Sequence, residues 1–102
     1  YVYIMANKPN GVIYIGVTDN LDERVKEHKL KVYPKSFTAR YNCEILVYFE
    51  EFENGEKASI REVQFKKWKR DWKIKLIEEM NPSWADLSLN WNLGNKIFRN
   101  NK

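Results

Sequence analysis

The tripeptide Tyr14-Ile15-Gly16 decides the fold that this sequence predicts. It lies in residues 12–17, a segment rich in β-branched and aromatic side chains that is typical of a strand. Residues 1–6 have the same character, and residues 7–11 between the two segments read Asn-Lys-Pro-Asn-Gly. Pro fixes φ and Gly permits positive φ, so this short segment is typical of a turn. We therefore expect a β-hairpin over residues 1–17.

The hairpin is expected to carry two tyrosines on one face. Side chains alternate across a strand, so Tyr3 lies on the face opposite Val2 and Ile4, and Tyr14 lies on the face opposite its isoleucine neighbours. If residues 7–10 form a four-residue loop, Tyr3 pairs directly with Tyr14 and the two phenols lie side by side. A slip of one residue would separate them, so this register is a hypothesis.

A helix over residues 21–29 is expected to follow the hairpin directly. Asn20 is a favourable N-cap, and Glu23 three residues later completes a capping box. Arg24 and His28 are four residues apart and therefore point the same way. Such a pair is usually just solvated, but it could also bind a phosphate, because Arg offers a planar fork and His can donate a proton. His28 is the only histidine, so any imidazole chemistry must use it.

The rest of the sequence predicts one more strand and two helical segments. Residues 30–42 are polar and irregular and indicate a long loop, a kind of segment that is often functional. Residues 44–52 hold a continuous apolar run, which is typical of a central strand buried on both faces. Residues 56–70 and 72–80 have helical periodicity, and Asn81-Pro82 ends the second segment.

The first of these two helical segments combines a glutamate with many basic residues. Glu62 could form an ion pair with Lys66 four residues later, worth roughly 0.2–0.5 kcal/mol, or it could be an oxygen ligand for Mg²⁺. The basic residues alternate with tryptophans, a pattern that usually marks a solvated helix face over an aromatic core. On a nucleic-acid-binding protein the same residues would follow the phosphate backbone. The candidate nucleic-acid-binding residues are Lys35, Lys66, Lys69 and Arg70.

Composition narrows the class of protein. A length of 102 residues suits one domain, and 43% hydrophobic residues are enough for a core. A net charge of +4 favours anionic partners, with nucleic acid first. The single cysteine, Cys43, cannot form an internal disulfide, which together with the lack of a Cys/His cluster favours a reducing cytoplasm and no zinc site. No apolar run approaches the roughly 20 residues that span a bilayer, so we expect no membrane association.

Taken in order, these residues resemble the GIY-YIG endonuclease superfamily. The resemblance is to its small stand-alone bacterial members, which are similar to the amino-terminal nuclease domain of the bacterial repair excinuclease. Val2-Tyr3 stands in place of the first motif, with Tyr1 at the usual Gly position, and Tyr14-Ile15-Gly16 matches the second motif. Residues 20–28 match an Asn-Leu-x-x-Arg-x-x-x-His helix, and Glu62 stands where the family has its metal-binding glutamate. The resemblance covers roughly residues 1–87.

The resemblance implies an α+β fold with a three-stranded antiparallel sheet flanked by helices. Residues 1–87 would form the nuclease-like domain, and residues 88–102 a basic, partly mobile tail. The resemblance also implies hydrolysis of DNA phosphodiester bonds, in DNA repair or processing, with one Mg²⁺ or Mn²⁺ ion held by Glu62. The family often has a late asparagine near its site, for which Asn81 and Asn90 are candidates.

The resemblance also implies a role for each candidate catalytic residue. Tyr3 or Tyr14 would activate the water, and the choice between them stays open. Arg24 would stabilise the charge that builds on the phosphate, and His28 would orient the phosphate or assist a tyrosine.

Two other classes of function stay open at this point. One is a nucleic-acid-binding module with the same fold but little or no catalysis, and the other is a structural or protein-interaction domain. Arg24 and Glu62 favour the enzyme, because binding alone does not need a carboxylate that faces DNA phosphate. The sequence does not indicate which DNA is cut, and a protein partner that supplies specificity is one option.

Overall fold

The computed structural model describes residues 1–89. Most of the predicted tail at 88–102, together with the candidate Asn90, therefore lies outside the described residues. Within residues 1–89, no helix has the length and apolar character needed to cross a membrane. The elements, in chain order, are β1 (Val2–Ala6), β2 (Ile13–Val17), α1 (Leu21–Lys29), α2 (Phe37–Arg40), β3 (Ile45–Glu50), α3 (Gly55–Lys67) and α4 (Arg70–Met80).

The strands form one antiparallel sheet in the order β2-β1-β3, which confirms the predicted α+β fold. The central strand is β1, all of whose residues are buried, so the prediction that the third strand is central was wrong. The predicted burial of the third strand on both faces is confirmed, although β3 lies at an edge of the sheet. Leu46 packs on one face of the sheet and Val47 on the other. The outer edge of β3 is covered in part by Leu87, whose backbone N–H donates to the carbonyl of Leu46.

The core consists of two layers, one on each face of the sheet, as the alternation of side chains predicted. On the first face, strand residues pack against α3, α4 and Trp84; this layer includes Val2, Ile4, Ile15, Val47, Phe65 and Ile77. On the second face, strand residues pack against α1 and Cys43; this layer includes Tyr3, Met5, Leu46, Leu21 and Val25. The second face therefore carries the predicted catalytic tyrosines.

Helix boundaries follow the local capping chemistry more closely than the hydrophobic periodicity. The Asn20 side chain accepts a hydrogen bond from the backbone N–H of Glu23, so α1 begins where the sequence predicted. The long helical region breaks into α3 and α4 between Lys67 and Arg70, slightly earlier than expected. Trp72 is 60% exposed, so the expectation that the tryptophans lie in the core was wrong for this residue.

Candidate active site

Tyr3 and Tyr14 lie on the same face of the hairpin, but they are not cross-strand partners. Tyr3 pairs with Gly16 and Tyr14 pairs with Met5, so the predicted register was wrong by two residues. The loop is longer than predicted because Asn7 closes it: its backbone and side chain bond the backbone of Val12, with Val12 N to Asn7 Oδ1 at 2.8 Å. A shift of two residues matches the side-chain period, so both rings stay on one face with centroids 6.2 Å apart.

Gly16 makes room for the ring of Tyr3. A Cβ atom built on Gly16 would lie 2.6 Å from both Cζ and Oη of Tyr3, far inside van der Waals contact. The absence of a side chain at this position lets the Tyr3 ring lie across β2. The glycine of the quoted tripeptide is thus required by close packing, since no glycine in the described residues has a positive φ.

A chain of buried hydrogen bonds starts at the hydroxyl of Tyr3. Its Oη lies 2.8 Å from Nε2 of His28, and Nδ1 of the same imidazole lies 2.7 Å from Oγ1 of Thr38. The exposed fractions are 0% for Tyr3, 5% for His28 and 1% for Thr38. His28 is therefore an interior residue rather than a solvated one. The sequence reasoning missed Thr38, and the signal that could have located it is Ser36, which caps α2 through a hydrogen bond from Ala39 N.

Arg24 lies beside this chain, at the end that faces solvent. Its Nη1 donates to Oε1 of Glu27 at 2.9 Å, and its guanidinium lies 5.6 Å from the ring centroid of Tyr33. The hydrogen bond with Glu27, together with a hydrogen bond to Tyr3, raises the pKa of Arg24 further above its ordinary range, although burial opposes this. Arg24 is thus a permanent cation. The sequence reasoning also missed Glu27, although a carboxylate three residues after an arginine on a helix is a readable signal.

Burial sets the protonation states of the two innermost groups. Burial first, and then the electrostatic effect of Tyr14, raise the pKa of the Tyr3 phenol well above its ordinary value, with Arg24 acting in the opposite direction. Burial and the positive charge of Arg24 lower the pKa of His28 to about 4, against the effect of Glu27. Near neutral pH the pair therefore consists of a neutral phenol and a neutral imidazole, which can exchange a proton.

A cavity of about 120 Å³ opens over this group, hereafter the Arg24 cavity. It is lined by Tyr14, Arg24, Glu27, His28, Tyr33, Ser36, Phe37 and Thr38. Tyr3 lies behind this lining, so Tyr14 is the one of the two candidate catalytic tyrosines that a molecule in the cavity would touch. Arg24 and His28 both line the cavity. The cavity thus brings together a guanidinium, an imidazole, two phenols and the carboxylate of Glu27.

An open groove of about 290 Å³ lies on the other side of Tyr14 and Phe37, hereafter the Lys73 groove. Its remaining lining residues are Ile13, Ile15, Lys66 and Lys73. Because Tyr14 and Phe37 line both spaces, the cavity and the groove adjoin. The groove brings two of the basic helical residues next to the candidate catalytic tyrosine.

Glu62 lies on α3 and forms the ion pair that one interpretation predicted, with its Oε2 3.0 Å from Nζ of Lys66. Its side chain is 22% exposed. Lys66 in turn lines the groove beside Tyr14, so the carboxylate is tied to a residue of that groove. In the part of the chain that the structure describes, no group of three or more His, Cys, Asp or Glu side chains is arranged to hold a metal ion. Glu62 therefore offers a single carboxylate.

The other nucleic-acid-binding and asparagine candidates have distinct surroundings. Lys35 and Lys69 are exposed. Arg70 donates from Nη2 to the carbonyl of Asn10 at 2.8 Å, and thereby anchors the hairpin loop.

Asn81 is buried and uses its amide for backbone hydrogen bonds, including one to the carbonyl of Val47 at 3.1 Å. These hydrogen bonds join the end of α4 to β3 and to the backbone of Ala85.

Comparison with known proteins identifies the family of this chain. Residues 1–75 match the family model described as the GIY-YIG catalytic domain. A UPF0213 protein of Clostridium perfringens is 42% identical over 77 residues, which cover 76% of this chain and 81% of the relative. A UPF0213 protein of Staphylococcus haemolyticus is 37% identical over 78% of this chain and 94% of the relative. A UPF0213 protein of Pediococcus pentosaceus is 36% identical over 85% of this chain and 90% of the relative. No solved structure matches the chain significantly.

Proposed function

Because the chain belongs to the GIY-YIG family, we propose that it is a divalent-metal-dependent endonuclease that hydrolyses DNA phosphodiester bonds. We further propose that it acts in the bacterial cytoplasm, in DNA repair or processing. The observation that carries the proposal is the Arg24 cavity, where a fixed cation, a phenol and a neutral imidazole meet. These are the groups that hydrolysis of a phosphodiester bond needs: one to stabilise negative charge and others to move a proton.

Arg24 is the residue that stabilises the phosphate in this proposal. Its charge does not depend on pH in the physiological range, and its hydrogen bond to Glu27 holds the guanidinium beside the cavity. A scissile phosphate in the cavity would gain negative charge on its oxygens as the water attacks. A positive charge already in place is most effective at that moment, because little reorganisation is needed.

Tyr14 contacts the attacking water in this proposal, since it lines the cavity whereas Tyr3 lies behind it. The water oxygen forms the new bond to phosphorus, and its proton passes to the oxygen of Tyr14. The hydroxyl proton of Tyr14 would pass towards Tyr3, whose ring centroid lies 6.2 Å from that of Tyr14, and the proton of Tyr3 would pass to Nε2 of His28. The bond between phosphorus and the leaving oxygen breaks, and that oxygen takes a proton from solvent. The negative phosphate in the cavity favours the imidazolium that results.

Glu62 would hold the divalent metal, Mg²⁺ or Mn²⁺. A single, partly exposed carboxylate fits Mg²⁺, which is commonly bound through one or two carboxylates while water and substrate phosphate complete its shell. When bound, the metal would supply Lewis-acid stabilisation of phosphate oxygens. Lys66, which neutralises the carboxylate in this structure, lines the adjoining groove and is positioned to bind a DNA phosphate instead.

The Lys73 groove provides the path of the DNA backbone in this proposal. Lys66 and Lys73 place two positive charges beside Tyr14, and Lys35 and Lys69 extend the basic surface. These contacts do not depend on base sequence, so they give affinity that falls with salt. A nucleic-acid-binding module without catalysis would use the same basic surface. A protein partner that supplies specificity is compatible with both.

The deciding experiment is cleavage of supercoiled plasmid, single-stranded DNA and branched DNA in Mg²⁺ or Mn²⁺, with wild type beside Glu62→Ala. Glu53→Ala is a matched control, because it removes the acidic partner of another four-residue ion pair, with Lys57 of α3, away from the cavity. We expect wild type and Glu53→Ala to cut with equal metal dependence, and Glu62→Ala to bind DNA without cutting it.

Two results would contradict this proposal. Equal cleavage by wild type and Glu62→Ala would indicate a contaminating nuclease and remove Glu62 from the site. Tight binding by wild type with no cleavage of any substrate in either metal would favour the nucleic-acid-binding module instead.

A further inference from the structure

Thr38 is a buried hydroxyl that neither the family motifs nor the proposed mechanism assigns. It is the second residue of α2, and its Oγ1 lies 2.7 Å from Nδ1 of His28. Its backbone is held as well, because its carbonyl accepts from the N–H of Cys43 at 2.9 Å. Ser36, which caps the same helix, lies 3.3 Å from Thr38 through its hydroxyl. The segment between α1 and β3 thus fixes one hydroxyl against the imidazole.

We propose that Thr38 is a positioning residue, whose hydroxyl holds Nδ1 of His28 and thereby presents Nε2 to the hydroxyl of Tyr3. A half-turn of the imidazole about its χ2 axis would replace both nitrogens with C–H groups at these contacts. The hydroxyls of Tyr3 and Thr38 would then be buried without these partners, which is unfavourable in a site that excludes water. Two hydrogen bonds at opposite ends of the ring therefore select one orientation.

The same contacts select the tautomer of His28. In this proposal the phenol of Tyr3 donates its proton to Nε2, which lies 2.8 Å from the phenol oxygen. Nε2 must then be unprotonated, and the proton of the neutral ring lies on Nδ1, where the Thr38 oxygen accepts it. The hydroxyl proton of Thr38 is then free to be donated towards Ser36, whose Oγ lies 3.3 Å away. This is the tautomer that can take a proton from Tyr3.

The charged and titratable groups that face His28 come from three elements. Tyr3 lies on β1 and Tyr14 on β2, while Arg24 and Glu27 lie on α1 with His28 itself. Thr38 on α2 also contacts the ring, but its hydroxyl does not titrate. It can therefore fix the tautomer without adding charge that would change the proton affinity of the ring. A carboxylate in its place would favour the imidazolium before any substrate arrives.

The test uses nitrogen-15 NMR of the imidazole, and His28 gives one pair of signals because the chain contains a single histidine. The variants are Thr38→Val, which removes the hydroxyl with little change of shape, and Thr38→Ser, which retains it. We expect the Nδ1–H tautomer in wild type and in Thr38→Ser, and a shift towards the Nε2–H tautomer in Thr38→Val. If Thr38→Val does not fold, Thr38→Ala takes its place.

Cleavage provides the second readout, and this part rests on the proposed function. We expect Thr38→Val to lower kcat about tenfold or more with KM nearly unchanged, as for other partners that orient a histidine, and to displace the pH profile of kcat. Thr38→Ser should restore both. An unchanged tautomer and kcat in a folded Thr38→Val protein, or a Thr38→Ser protein as defective as Thr38→Val, would overturn the proposal. If wild type cuts no DNA, the proposed function fails and the NMR result alone decides the role of Thr38.

Discussion

Substitution of Gly16 by alanine tests the packing that places Tyr3. The new Cβ would lie 2.6 Å from the Tyr3 ring, which is fully buried and hydrogen-bonded to His28 and therefore cannot move freely. Overpacking of this kind costs about 1–3 kcal/mol. Alanine also reduces the freedom of the unfolded chain, which offsets roughly 0.4–1 kcal/mol. We expect Gly16→Ala to destabilise the protein by about 1–2 kcal/mol.

Gly55 provides a matched control for this experiment. It is the first residue of α3, and a Cβ built there meets no atom within 4 Å. Neither glycine has a positive φ, so alanine is compatible with the backbone at both positions. We expect Gly55→Ala to stabilise the protein by about 0.4–1 kcal/mol, since only the effect on the unfolded chain remains. The two variants should therefore differ by about 2 kcal/mol although the chemical change is identical.

The assay is urea denaturation of wild type and both variants, with thermal denaturation as a second measure. For a domain of this size, 1 kcal/mol corresponds to roughly 4–8 °C in Tm. The nitrogen-15 signals of His28 should also change in Gly16→Ala, because displacement of the Tyr3 ring weakens its hydrogen bond to Nε2. Equal stability of Gly16→Ala and Gly55→Ala, with the His28 signals unchanged, would refute the argument that the absence of a side chain at Gly16 positions Tyr3.

Two further predictions concern buried ionisable groups. The pKa of His28 is about 4 in the folded protein against about 6.5 in the unfolded chain. The contribution of neutral His28 to the free energy of unfolding should therefore be fully present above pH 6.5. It should fall by up to about 1.4 kcal/mol per pH unit as the pH is lowered towards 4. Urea denaturation between pH 7.5 and 4.5 should show this slope in wild type and a smaller one in His28→Gln, whereas equal slopes would contradict the prediction. Burial alone would raise the pKa of Asp86, but hydrogen bonds from Lys29 and from neighbouring N–H and hydroxyl groups outweigh it and hold the pKa below its usual value. Asp86→Asn should therefore lower the unfolding free energy by about 2–3 kcal/mol. The surface control is Asp22→Asn, which weakens a 3.7 Å pair with Lys26 and should lower the unfolding free energy by less than about 0.5 kcal/mol. Similar losses in both variants would contradict the assigned role of Asp86.

Features that depend on neighbouring residues were predictable from the sequence. The N-cap Asn20 predicted the start of α1, and the strand alternation predicted that Tyr3 and Tyr14 share a face. The register was not predictable, because it depends on the side chain of Asn7 closing a longer loop onto Val12. A two-residue error preserved the face, which explains why the two tyrosines were correctly grouped although their pairing was wrong.

Features that depend on contact between distant segments were not predictable. The apolar run of β3 indicates that both of its faces are covered, but it does not indicate whether the strand has one neighbouring strand or two. Thr38 lies in a polar segment without periodicity, and its relation to His28 arises only when α2 packs against α1. For Glu62 the sequence left two interpretations, and the structure shows the ion pair with Lys66. Under the proposed function the two are compatible, because Lys66 would bind phosphate once a cation took its place beside Glu62.

Under the proposed function, the location of the hydrogen-bonded chain would couple catalysis to stability. Tyr3, His28 and Thr38 are core residues, and in the described part of the chain no buried side-chain nitrogen or oxygen lacks a hydrogen-bond partner. Removal of any one of the three leaves a buried partner unpaired, so stability and activity should fall together. A loss of activity alone therefore does not identify a catalytic group here. The tautomer of His28 does distinguish the two effects, because it reports the direction of the hydrogen bonds rather than their contribution to folding.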